Sequence, residues 1–76
     1  MNYYDKLRNI REDLDLSRRE VAEAIGTTHQ QIYKYEKGLQ EMTITRFAEL
    51  CIYYNVSADE ILGIKPKQGS KDLRMF

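Results

Sequence analysis

Seventy-six residues make room for one small domain, which buries only about 60% of the surface its unfolded chain exposes. A single cysteine, Cys51, excludes an internal disulfide, and with His29 as the only histidine no ordinary zinc site can be assembled, so a reducing, cytoplasmic setting and no metal are expected. No apolar run approaches the roughly 20 residues of a membrane-spanning helix, and 12 basic against 12 acidic side chains leave no overall positive charge to hold nucleic acid indiscriminately.

Leu7, Ile10 and Leu14 recur at three- and four-residue spacing with charged residues between them, which predicts a first amphipathic helix over Tyr3 to Leu14, ended by Asp15. Ser17 followed by Glu20 is a capping box, so a second helix starts at Arg18 and carries Val21, Ala22 and Ile25 inward. Gly26 stops it and Thr28 caps the next, leaving a three-residue corner that forces two helix axes to cross steeply. The third helix, 28–37, ends at Gly38. A fourth is capped by Thr43, carries Ile44, Phe47, Leu50, Cys51 and Tyr54 at helical spacing, and ends at Asn55. Ser57, with Glu60 in capping-box position, opens a short fifth helix whose Ile61 and Leu62 close the core. No strand pattern interrupts this order, so the class is all-α. The domain is set at residues 1–64, with a basic tail of linker-like composition at 65–76.

The third helix is the informative one. With Ile32 facing inward, Tyr35 and Glu36 share its side, while Gln30, Lys34 and Lys37 point the other way, flanked by Gln31 and Tyr33, with His29 at the exposed start. Any amphipathic helix has a polar outer face. This one carries no acid among its outward residues, and it offers groups that suit base edges: Gln bonds adenine bidentately, and Lys donates to guanine O6 and N7. Glu36, on the inward side, must find a partner, and Arg11 on the first helix is placed to supply it.

Leu16 to Ala22, Ile25, Gly26, Ile32, Tyr35, Glu36 and Gly38, continued by Ile44, Phe47, Leu50, Cys51 and Val56 to Leu62, resemble the phage repressor and Cro type of helix-turn-helix family, the XRE-like group, across roughly residues 5 to 62. The resemblance implies a lambda repressor-like bundle of five helices that binds operator DNA as a homodimer. It implies base reading by His29, Gln30 and Lys34, base or phosphate contacts by Gln31 and Tyr33, a phosphate contact by Lys37, and a backbone or outer-base contact by Arg18. It also implies an internal Arg11–Glu36 ion pair. Asp15 stands where the family commonly has Gly, and Arg18 where it commonly has Gln.

The expectation is a sequence-specific DNA-binding regulator that represses by occupying its operator, with helix 28–37 in the major groove of double-stranded DNA and no cofactor or small-molecule ligand. The alternative, an antitoxin or adaptor that reuses the fold as a protein-interaction module, draws on the neutral charge and on Leu73, Met75 and Phe76 in the tail. Enzymatic chemistry is not expected, because no Ser, Cys or acid is spaced to work with His29.

Overall fold

The computed structural model describes residues 2–64. They form five helices: α1 (Tyr3–Asp13), α2 (Arg18–Ile25), α3 (His29–Glu36), α4 (Ile44–Tyr54) and α5 (Ala58–Leu62). None among the described residues is long and apolar enough to cross a membrane.

Side-chain caps set where these helices begin. The Asn2 carboxamide accepts from Asp5 N at 2.9 Å, a cap for α1 that apolar periodicity does not mark. At α2 the capping box is complete, with Ser17 Oγ accepting from Glu20 N at 3.0 Å and Ser17 N donating to Glu20 Oε1 at 2.9 Å. Thr28 and Thr43 accept from Gln31 N and Arg46 N at 3.2 and 3.1 Å and start α3 and α4. Ser57 departs from expectation: its hydroxyl takes Asp59 N at 3.2 Å, so the turn closes one residue earlier than a capping box with Glu60 requires.

The helix ends use left-handed backbone. Asp15 and Asn55, with φ of 59° and 58°, take the conformation that short polar side chains tolerate best among non-glycine residues. Gly26, at φ 77°, turns the chain from α2 to α3 across the three-residue corner 26–28. Gly38 has two reasons to be glycine. Its φ is 70°, and a Cβ there would stand 2.5 Å from Cζ of Tyr4, which lies over the end of α3.

Leu7, Val21, Ala22, Ile32, Tyr35, Leu50, Cys51, Tyr54 and Ile61 form the buried core, with Val21 and Ile32 the largest side chains fully enclosed. Phe47 packs at its edge and receives the Tyr3 ring edge-on at 6.1 Å. Arg46 ties α4 to the corner: its Nη1 donates to Ile25 O at 2.7 Å, so a cation covers the C-terminal end of α2. Three apolar positions assigned inward by periodicity lie outside the core: Leu14 is exposed past the end of α1, Leu62 is 47% exposed, and Ile44 is 86% exposed. Ile44 and Leu62 stand in terminal turns, where no neighbouring helix covers the face that the helical period marks. The tail at 65–76 lies outside the described residues.

Candidate nucleic-acid interface

Ile32 and Tyr35 anchor α3 in the core, which fixes the azimuth of the whole helix. Glu36 turns inward with them and is only 4% exposed. A carboxylate so enclosed is sustained by charge-assisted hydrogen bonds. Arg11 Nε donates to Glu36 Oε2 at 2.7 Å and Arg11 Nη2 to Oε1 at 3.1 Å, the forked geometry only an arginine gives, while Arg11 Nη1 donates to Leu16 O at 2.8 Å. The hydrogen bond to Glu36 raises the Arg11 pKa above its ordinary value, against the opposing effect of burial. The expected Arg11–Glu36 pair is therefore present.

It has a third member that residue spacing does not reveal. Arg18 Nε donates to Glu36 Oε1 at 3.0 Å, and the Arg18 guanidinium carbon lies 5.2 Å from the centre of the Tyr33 ring. Lys37 Nζ lies 5.7 Å from the same ring. One carboxylate thus accepts from two arginines, and one aromatic ring lies near two cations.

Gln30, Lys34 and Lys37 are exposed, as the helical phases require, and Tyr33 is exposed beside them, while His29, Gln31 and Arg18 are half-buried. Arg18, His29, Gln30, Tyr33 and Lys34 meet around one open recess of about 410 Å³, so five of the seven candidate residues converge. Lys37 joins through the Tyr33 ring, and Gln31 stands outside the recess. The sixth lining residue is Leu39, exposed in the loop after α3. No periodicity marks a loop residue, so nothing in the sequence singled it out.

The chemistry of this face is that of a donor-rich, acid-free surface. Amide, imidazole, ammonium and phenol groups project from α3, and its one acid is buried and neutralised by arginine. A second, larger recess of about 510 Å³ is apolar in character and is lined by Tyr3, Tyr4, Met42, Ile44, Phe47 and Leu62 among others. Among the described residues no group of His, Cys, Asp and Glu is clustered to hold a metal. Cys51 is buried, and burial pushes its thiol pKa up, so it stays protonated and packs as a small apolar group.

A family model described as helix-turn-helix matches residues 7–61, from the middle of α1 to α5. Two solved structures superpose well. The P22 c2 repressor protein, crystallised in complex with the synthetic operator 9T, aligns with a TM-score of 0.75 at 18% identity, over 82% of this chain and 94% of that one. A transcriptional regulator from Listeria innocua aligns with a TM-score of 0.77 at 19% identity, over 96% of this chain and 69% of that one. At such identities the likeness is one of fold. No curated protein matches the sequence.

Proposed function

Since the chain belongs to the helix-turn-helix family, we propose that it is a sequence-specific DNA-binding transcriptional regulator that inserts α3 into the major groove and represses by occupying its operator. The observation that carries this reading is the division of α3: Ile32, Tyr35 and Glu36 are buried, and the opposite side presents Gln30 and Lys34 to solvent with no acid between them. His29, Gln30 and Lys34 are the base-reading residues in this proposal, Gln31 and Tyr33 their neighbours, and Lys37 the phosphate contact. The likeness of fold to the P22 c2 repressor, a protein crystallised on operator DNA, supports the same reading.

The active form is a homodimer, a cytoplasmic protein whose two copies read half-sites about 34–36 Å apart on a pseudo-palindrome. Its support is the set of apolar side chains left uncovered on one copy, Ile44, Ile52, Leu62 and Ile64, of which Ile44 and Leu62 share one recess. The same surface is what favours the rival reading of a protein-interaction module. A gel shift on random duplexes at low and then higher salt separates the two. Phosphate contacts release counterions, so the proposed regulator loses affinity steeply as salt rises. No shift at any salt rejects DNA binding and leaves the interaction module.

A further inference from the structure

We propose that Arg18 acts on DNA through Tyr33, as a positioning residue that holds the tyrosine ring on the reading face instead of contacting the duplex itself. The inference rests on the DNA-binding reading above and gives Arg18 a role different from the backbone or outer-base contact that family resemblance implies. Arg18 opens α2, one helix away from the residues that face solvent on α3. Its Nε bonds Glu36 Oε1 at 3.0 Å, and Glu36 is almost wholly enclosed. Its guanidinium lies 5.2 Å from the centre of Tyr33, whose ring lines the recess with Gln30 and Lys34. One planar group therefore bridges a buried carboxylate and an exposed ring.

Arginine suits this double role: a planar guanidinium carries several donors, so one edge bonds a carboxylate while the group lies beside an aromatic ring, whereas the lysine ammonium is a compact point charge. To swing away from Tyr33, Arg18 would withdraw one of the three charge-assisted hydrogen bonds that Glu36 accepts, a costly change at an enclosed carboxylate. Retention at Glu36 keeps the guanidinium beside Tyr33. An exposed side chain that must be ordered on association costs affinity, and a ring already held avoids that cost. Tyr33 thereby becomes a specificity-determining residue: it meets the duplex in a fixed place, beside the amide of Gln30 and the ammonium of Lys34.

The test compares affinity for a duplex selected from a random pool with affinity for random duplexes, across a salt series, using wild type, Arg18→Lys, Arg18→Gln, Tyr33→Ala, Tyr33→Phe and the Arg18→Lys combinations with each tyrosine variant. Arg18→Lys keeps the charge and loses the planar guanidinium that reaches both Glu36 and the Tyr33 ring. It is expected to reduce preference for the selected duplex about threefold at an unchanged salt slope. The same loss is expected in the Tyr33→Phe background, where a ring remains, and none in the Tyr33→Ala background. Because Arg11 still pairs with Glu36, Arg18→Lys is expected to stay folded, which a melting curve checks. The proposal is overturned if Arg18→Lys matches wild type while Arg18→Gln weakens every duplex alike and lowers the salt slope by about one, the signature of a phosphate contact. A loss that is the same in the Phe and Ala backgrounds overturns it too. A wild-type chain with no salt-dependent binding at all rejects the DNA reading as well, which distinguishes the two failures.

Discussion

Glu36 is where the fold and the reading face meet, because the carboxylate that α3 turns inward is held by Arg11 from α1 and Arg18 from α2. Removing one member of a buried pair strands the other charge and typically costs about 3–5 kcal/mol. Glu36→Ala is therefore expected to lower the melting temperature sharply and to lose DNA binding with it, and an unchanged melting curve would contradict this role. Tyr54 supplies a second prediction. Burial, reinforced by the negative charge of Glu36 and opposed by Arg11, pushes its phenol well above the ordinary value of about 10. Raised in the folded state, this group stabilises the fold below its ordinary pKa and withdraws that stability as pH rises beyond it. Tyr54→Phe, compared with wild type by thermal melts across the alkaline range, is expected to flatten the decline above about pH 10; parallel declines would contradict the assignment. The inward Glu36 and its Arg11 partner were legible in the sequence, since helical phase and the cost of a buried charge decide them. The bond from Arg18 to Glu36 was not, because it depends on how α2 crosses α3, an angle that residue spacing leaves open.

At the scale of elements, the outer ends of the α2–α3 pair, Ser17 before α2 and Gly38 after α3, are held by chemistry that can be removed one group at a time. Ser17→Ala deletes the hydroxyl that accepts from Glu20 N and is expected to cost about 1 kcal/mol of stability, measured by denaturant titration. Gly38→Ala sets a methyl group against the Tyr4 ring in a left-handed residue, and a loss of about 1–3 kcal/mol is expected. A stability equal to wild type in either variant would show that the end in question frays without consequence. Helix starts were readable because Ser and Thr caps bond within three residues of themselves, so no tertiary knowledge is needed. Ile44 and Leu62 were misassigned because the helical period says which side a residue occupies and not whether another helix reaches that side. Asn2 escaped notice for a related reason: apolar periodicity marks a helix interior and is blind to a polar residue one position before it.

For the whole molecule, charge is arranged locally. Residues 1–62 hold 8 basic and 11 acidic side chains and residues 63–76 hold 4 basic and 1 acidic, so the chain as a whole has no excess positive charge, and in the proposed function affinity rests on local contacts from the donor-rich side of α3 and its surroundings. The proposed regulator is expected to bind random duplexes weakly, and a second copy would add to its contacts with DNA. In the proposed dimer the exposed Ile44, Ile52, Leu62 and Ile64 are the apolar side chains available for pairing. Ile44→Glu together with Ile52→Glu is expected to shift sedimentation towards the monomer with little change in melting temperature, because neither side chain is buried in one copy. Sedimentation unchanged by both charges would remove this surface from the dimer. The central claim is that the outward side of α3 selects DNA by sequence, and the most direct measurement is enrichment of duplexes from a random pool by wild type and by Gln30→Ala and Lys34→Ala variants of equal thermal stability. Wild type is expected to enrich a pseudo-palindrome with half-sites one helical turn apart, and each variant to lose or alter the preference within the half-sites. Enrichment of the same sequence to the same degree by all three proteins, or of none by wild type, would contradict the account.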